Sequence, residues 1–144
     1  MSIRTYYHAG LSRIEKFYLP YGGLHMGGKG SALEAALRKL RKEPEGFVFL
    51  HEVLVDDEYV LPNDDLGDAH SWERSWDLMS SRLNFPLSGW EYKNLFEPDI
   101  RNSICLFRLE VIKSVKVSDI FTLDQAEDEL VTYEDRNGWP QYVA

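Results

Sequence analysis

Runs of apolar residues along the chain predict a series of short β-strands. Residues 4–8 form a compact run of β-type residues that is broken by Ala9 and Gly10. A second, very short strand fits at residues 24–26, inside a glycine-rich segment. Residues 47–55 are rich in β-branched and aromatic side chains, which is typical of a central strand.

Two stretches have the spacing of amphipathic helices. Ser31 is followed three residues later by Glu34, the pattern of a capping box, and apolar residues then recur at helical spacing until Pro44. The second stretch places large apolar residues at i, i+4 and i+7: Trp72, Trp76 and Met79. We expect this second helix to pack by its aromatic face into the core.

The remaining segments are shorter or less regular. Residues 56–68 carry six acids, a composition that predicts a solvated loop, and residues 85–98 are predicted to be irregular. Further strands are predicted at residues 104–111, 115–117, 129–133 and 141–143. Strands outnumber the two helices without a βαβ alternation, so the pattern favours an α+β fold.

Length and charge narrow the classes of partner. The 144 residues correspond to one domain. Sixteen basic and 24 acidic side chains give a net charge of −8, which disfavours nucleic acids and membrane surfaces as partners. The densest basic cluster lies at the end of the first predicted helix, where cations complement the helix dipole: Arg38, Lys39, Arg41 and Lys42.

Cysteine content and hydropathy suggest a cytoplasmic setting. Cys105 is the only cysteine and lies in an apolar run, so we expect it to be buried and not disulfide-bonded. No apolar stretch reaches the length of a membrane span, and the first residues lack the apolar region of a signal peptide. The expected location is the cytoplasm, of the producing cell or of a host cell.

Common catalytic motifs are missing, which leaves the histidines as the main candidates. The sequence has no GxSxG, GxxxxGK[ST], HExxH or GxGxxG motif. Its four histidines lack the close spacing of metal ligands on one helix. A metal-dependent hydrolase that uses His51, His70 and nearby acids is one alternative, although His51 lies in the predicted central strand and is more typical of a core residue.

Three segments, in order, resemble the motifs of the ADP-ribosyltransferase fold, in the branch related to poly(ADP-ribose) polymerases. They are Tyr-His-Ala-Gly at residues 7–10, Gly-Leu-His-Met-Gly at 23–27 and Glu-Leu-Val-Thr-Tyr at 129–133. The Trp-Pro-Gln-Tyr-Val tail at 139–143 extends the likeness. The resemblance implies a single domain over residues 1–144, with two packed, mostly antiparallel sheets, a ligand cleft and two flanking helices.

The resemblance also implies a set of NAD contacts. His8, in the motif that continues through Ala9 and Gly10, would hydrogen-bond the adenosine-side ribose. The backbone of Ala9, which stands where the family has glycine, would hold the nicotinamide carboxamide, together with the Ser31 hydroxyl. His25 stands where the family has tyrosine and would stack on the nicotinamide ring.

The acidic residue that the resemblance selects is Glu129, which would stabilise the positive charge that develops on the nicotinamide ribose. Glu127 precedes it in a Glu-x-Glu pattern that arginine-directed members of the superfamily use to activate the acceptor. Glu134 is a rival for the catalytic acid, although it would lie past the end of the predicted strand.

The principal hypothesis is therefore an NAD-dependent ADP-ribosyltransferase without a bound metal. It would cleave the nicotinamide–ribose bond and transfer ADP-ribose to a macromolecule or to water. By family analogy a toxin, an effector or a phage–bacterial conflict protein is a natural setting. An alternative is an inactive module that binds a nucleotide or a protein partner, with an aromatic surface at Tyr59, Trp90 and Tyr92.

Overall fold

The computed structural model describes residues 1–138 as one small α+β domain with two sheets and three helices. In chain order the elements are β1 (Ile3–Gly10), β2 (Leu24–Met26), α1 (Lys29–Leu40), β3 (Val48–Asp56), β4 (Val60–Pro62), α2 (Ala69–Ser80), β5 (Gly89–Tyr92), β6 (Ser103–Leu106), a 3-10 turn (Leu109–Val111), β7 (Ile112–Phe121) and α3 (Leu123–Asn137). One sheet has the strand order β1-β3-β7 and the other the order β2-β6-β5-β4. Among the strand pairs of residues 1–138, only β4–β5 is parallel.

The coarse predictions of fold class and of several elements are confirmed. The strands predicted at residues 4–8, 24–26 and 47–55 correspond to β1, β2 and β3, and β3 is the central strand of its sheet. The aromatic stripe on α2 packs as expected: Trp72 is 2% exposed and Trp76 stacks on Phe107. Cys105 is buried on β6.

The prediction of a strand at residues 129–133 is wrong, because this segment lies inside α3, a third helix. Thr122 accepts a hydrogen bond from the Gln125 amide, and the Gln125 side chain accepts one from the Thr122 amide, which makes a capping box. Ala126 is fully buried, and the partly buried Leu123 and Leu130 pack against the same cluster as α1. This helical spacing outweighs the β-type composition of the segment.

Three smaller predictions are also corrected. The capping box at Ser31 and Glu34 is absent, because α1 begins at Lys29 with Gly28 as its N-cap. Segments that read as loop or irregular contain β4 and β5. The strand predicted at 104–111 ends at Leu106, and the one predicted at 141–143 lies outside the described residues.

Three apolar clusters hold these elements together. The two sheets pack through side chains such as Tyr6 on β1, Val53 on β3 and Ile104 on β6. A second cluster lies between α1, α3 and the first sheet, and Leu33 and Leu37 of α1 are fully buried in it. The third joins α2 to the second sheet. Burial of each such leucine contributes about 1.5–3 kcal/mol, so α1 is fixed firmly against the sheet.

The two sheets also meet through the backbone at one corner. The Tyr7 amide donates to the Gly27 carbonyl at 2.7 Å, and the Gly27 amide donates to the Tyr7 carbonyl at 3.1 Å. These two hydrogen bonds join the C-terminal half of β1 to Gly27, the residue that follows β2 shortly before α1 begins. The corner therefore brings His8 and His25 to the same part of the molecule. No helix among residues 1–138 has the length and apolarity needed to span a bilayer.

Candidate functional site

A cavity of about 530 Å³ lies beside this corner. It is bounded by β1 and β2, by one face of α1, by residues 20–23 and by the loop that follows β5. Four of the residues selected from the sequence line it: His8, Ala9, His25 and Ser31. These residues come from three separate segments of the chain, and the structure brings them around one space.

His8 is a half-buried, neutral imidazole on the side of the cavity that β1 and β2 form, its inner end. It lies directly opposite His51 in the β1–β3 register, and its ring meets that of Phe17 edge-on at 5.3 Å. Burial, with smaller effects from His51 and from the positive charge of Lys39, lowers the pKa of His8 to about 4. Its Nδ1 atom is buried without a hydrogen-bond partner among residues 1–138. An unpaired buried nitrogen of this kind is costly unless a ligand pairs with it.

His25 is held rigidly by hydrogen bonds from both ring nitrogens. Its Nε2 donates to the Gly22 carbonyl at 3.1 Å, so Nδ1 of the neutral ring accepts from the Tyr92 hydroxyl at 2.7 Å. The rings of Trp72 and Tyr92 meet it edge-on at 5.4 and 5.7 Å. Burial lowers the pKa of His25. The cavity thus contains a fixed, uncharged ring that is supported by two buried aromatics.

Tyr92 and Trp90 belong to this interior and not to an exposed aromatic surface. Each is only 4% exposed, whereas Tyr59 is 38% exposed. The partner surface suggested by these three residues is therefore wrong for Trp90 and Tyr92. Both residues lie on β5, which turns their side chains inward. The sequence pattern does not predict this strand, because it has only four residues.

Ser31 connects α1 to the loop after β5. Its hydroxyl donates to the Glu97 carbonyl at 2.6 Å, and its amide donates to Asp99 Oδ2 at 2.8 Å. Asp99 thus supplies from a distant loop the cap that the N-cap residue, Gly28, lacks. A methyl group added to Gly28 would lie 2.5 Å from Asp99 Oδ2, so a larger residue there would have to displace the Asp99 carboxylate. The same loop is shaped by Asn94, whose Oδ1 accepts from the Glu97 amide at 2.8 Å.

Two of the sequence-selected residues lie away from the cavity lining. Gly10 ends β1, opposite Phe49, and is not one of the lining residues. Glu129 lies on α3, where its Oε1 is 2.5 Å from Lys29 Nζ on α1. It does not line the cavity either. Its ion pair joins two packed helices.

The carboxylates that do line the cavity are Asp65 and Glu97. Asp65 is already used by the backbone, since Oδ2 accepts from the Leu95 amide at 2.9 Å and Oδ1 from the Gly67 amide at 3.0 Å. Glu97 has only a loose ion pair, in which Oε1 lies 3.7 Å from Arg38 Nη1, and its side chain is 21% exposed. Glu97 is therefore the acid with oxygens available for a ligand.

Two cations line the same cavity. Arg38 and Lys39, near the end of α1, belong to the basic cluster that was interpreted from sequence as a complement to the helix dipole. The structure turns both toward the cavity, whereas Arg41 pairs with Glu127 of α3 at 3.6 Å. The helical period could have distinguished Arg38 and Lys39 from Arg41. Arg38 and Lys39 follow Ser31 by seven and eight positions, which places them on the same face of α1 as Ser31.

His51 and His70, the candidates for a metal-dependent hydrolase, do not form a metal site. The Ile14 amide donates to His51 Nε2 at 2.8 Å, and His51 Nδ1 lies 3.2 Å from the His8 carbonyl. Both ring nitrogens of His51 are thereby used inside the fold, as predicted for a core residue, and His70 Nδ1 is bonded to the Tyr21 hydroxyl. No group of three or more His, Cys, Asp or Glu side chains between residues 1 and 138 is arranged to hold a metal ion.

Comparisons of the chain with protein-family models, with curated proteins and with solved structures give no match.

Proposed function

We propose that the protein is an NAD-dependent ADP-ribosyltransferase-like enzyme that cleaves the nicotinamide–ribose bond and transfers ADP-ribose to a macromolecular acceptor or to water. The observation that carries the proposal is the convergence of His8, Ala9, His25 and Ser31 on one cavity. Its volume of about 530 Å³ is in the range of small-molecule sites.

The inner end of the cavity suits the nicotinamide riboside part of NAD. The fixed ring of His25 offers an aromatic surface for the nicotinamide ring. His8 has an unpartnered Nδ1 atom that would pair with a hydroxyl of the nicotinamide ribose, in place of the adenosine-side ribose that the resemblance gave it. Both imidazoles are neutral at pH 7, since burial lowers each pKa. A neutral environment avoids repulsion of the positively charged nicotinamide ring.

Glu97 takes the role that the resemblance gave to Glu129. As the bond from the nicotinamide nitrogen to ribose C1′ breaks, its electron pair leaves with neutral nicotinamide and positive charge develops on the ribose. A carboxylate fixed beside that charge stabilises the transition state more than the ground state. Glu97 lines the cavity, and hydrogen bonds from Ser31 and to Asn94 hold its backbone in place. The acceptor or water then adds at C1′ and loses a proton.

Nicotinamide release from NAD by the purified protein tests the proposal. The Glu97→Gln variant should lose about 10²- to 10³-fold in rate, while a matched change at the exposed Glu45, Glu45→Gln, should keep the wild-type rate. Glu129→Gln should also remain active. If instead Glu129→Gln is inactive and Glu97→Gln is active, the assignment of the acid is wrong. If the wild-type protein releases no nicotinamide with any acceptor, the proposed enzymatic activity is wrong.

A nucleotide-binding module without turnover is the second candidate. The observation that favours it is the Arg38–Glu97 ion pair, which holds the one available cavity acid at 3.7 Å from a cation. A carboxylate neutralised in this way stabilises a positive ribose less well. Saturable NAD binding without nicotinamide release would support this candidate over the enzyme.

A further inference from the structure

One face of α1 runs along the cavity and changes in chemistry from one end to the other. Its lining positions follow a helical stripe: Ser31, Ala32, Ala35, Arg38 and Lys39. From Ser31 to Lys39 this stripe is about 12 Å long, at 1.5 Å per residue. The first part carries small, uncharged side chains, and the last part carries two adjacent cations.

Lys39 differs from two other cations of this helix region, which pair with carboxylates. Lys29 pairs with Glu129 and Arg41 pairs with Glu127, both on α3. Within residues 1–138 Lys39 has no such ion pair, although it is close enough to His8 for its charge to oppose protonation of that imidazole. A cation left without a carboxylate partner beside a cavity is well placed to receive an anionic ligand.

Arg38 lies next to Lys39 and is only partly used. One guanidinium nitrogen donates to the Phe96 carbonyl at 3.2 Å, and the other lies 3.7 Å from Glu97 Oε1. A guanidinium group has five N–H donors, so these contacts leave donors for a ligand. Its planar fork matches two oxygens of a phosphate.

The cavity is electrostatically distinct from the rest of the protein. The chain carries a net charge of −8, whereas the charged groups that line the cavity are two cations and two carboxylates, Asp65 and Glu97. An anionic ligand that most of the surface would repel therefore meets no net repulsion at this lining. The adjacent cations give it a definite place to bind.

We propose that Arg38 and Lys39 form a subsite for the diphosphate of a nucleoside diphosphate ester, with the nucleoside on the other side of the phosphates from His8 and His25. The proposal rests on the proposed function only in taking the ester to be NAD. The two cations would anchor the dinucleotide at the mouth of the cavity, while the neutral residues hold its nicotinamide riboside end. The same subsite would bind ADP alone.

Isothermal titration calorimetry with ADP, adenosine, nicotinamide riboside and NAD tests the subsite. The wild-type protein should bind ADP at least 10-fold more tightly than adenosine, and the difference should shrink in high salt. Arg38→Gln with Lys39→Gln should weaken ADP and NAD about 10- to 100-fold and leave nicotinamide riboside unchanged. Lys42→Gln, an exposed cation just past the same helix, is the matched control and should change nothing.

The single variant Lys39→Gln distinguishes loss of a cation from displacement of the loop after β5, because Lys39 has no side-chain hydrogen bond to the segment that carries Glu97. It should weaken ADP binding by itself. Equal affinity of the double variant and wild type for ADP and NAD would overturn the subsite, as would a wild-type protein that binds no ADP. If ADP binding depends on both cations but no nicotinamide is released, the subsite stands and the proposed enzyme fails.

Discussion

The inner end of the cavity and its mouth are built in opposite ways. At the inner end, His8 and His25 are neutral and fixed by strand register and by hydrogen bonds within the two sheets. At the mouth, where the diphosphate would join the nicotinamide ribose, Arg38 and Glu97 are charged, the Arg38 side chain is 54% exposed, and Glu97 is carried by a loop. The inner residues are therefore held by the two sheets, whereas the mouth depends on a few contacts that hold one loop to α1.

We therefore expect substitutions at the two ends of the cavity to affect different properties of the protein. Changes at the inner end should affect the free energy of unfolding and its pH dependence, because buried groups are exchanged between protein and water on unfolding. Changes at the mouth should affect the loop after β5 and the binding of charged ligands.

The largest effect is expected for His8 when the pH is lowered. Its pKa is about 4 in the folded protein and near 6.5 when unfolded, so the unfolded chain binds the proton first. The stability contributed by neutral His8 is complete above pH 6.5 and declines toward pH 4, where about 3 kcal/mol is lost. The His8→Leu variant should show a shallower decline in urea denaturation between pH 7.5 and pH 4.

His8→Gln is the matched control, because it removes the titration and keeps a polar side chain. Both variants should flatten the pH profile by a similar amount. Burial also lowers the pKa of His25 and of His51, so part of the decline should remain in either variant. Identical slopes for wild type and both variants would show that His8 is not buried as described, and the division of the cavity would fail.

The inner end is also the part that sequence patterns predicted well. The glycine-flanked strand that carries His25 and the β-type run that carries His8 both give strong local signals. The heptad-like stripe of Trp72, Trp76 and Met79 likewise predicted α2 from spacing alone. Local periodicity was sufficient at these positions because each element buries one side against the core.

The mouth could not be predicted in this way, because its contacts join residues far apart in sequence. Asp99 caps a helix 68 residues earlier through the Ser31 amide, and no local pattern reports such a partner. Glu97 follows a four-residue strand in a segment that read as irregular. The Glu129 prediction failed for a related reason, since the packing of α3 on α1 outweighed the β-type composition of its sequence.

Removing the cap at the mouth should have the next largest effect. The Asp99 carboxylate accepts from the Ser31 amide at 2.8 Å and from the Tyr133 hydroxyl at 2.9 Å. Asp99→Ala would leave a buried helix N–H unpaired, and we expect a loss of about 2 kcal/mol in the free energy of unfolding. Because the same loop carries Glu97, nicotinamide release should fall as well.

Asp99→Asn is the control for this change, since its side-chain oxygen can still accept one of these hydrogen bonds. It should lose less stability than Asp99→Ala in chemical denaturation. Nicotinamide release that is unchanged in Asp99→Ala, with the stability lowered as expected, would mean that the loop does not depend on this cap. The mouth would then be as firmly built as the inner end.

The smallest effect is expected on the far side of α1, at the ion pair between Lys29 and Glu129. The two side chains are 24% and 31% exposed, and pairs of this kind contribute about 0.2–1 kcal/mol. Lys29→Met, Glu129→Gln and the double variant should each lower the free energy of unfolding by less than about 1 kcal/mol. Nicotinamide release should stay within about twofold of wild type if binding and catalysis are confined to the cavity, since twofold is about 0.4 kcal/mol. A coupling energy above about 2 kcal/mol, beyond the range for exposed pairs, together with loss of release in both single variants, would instead extend the functional region across α1 to α3.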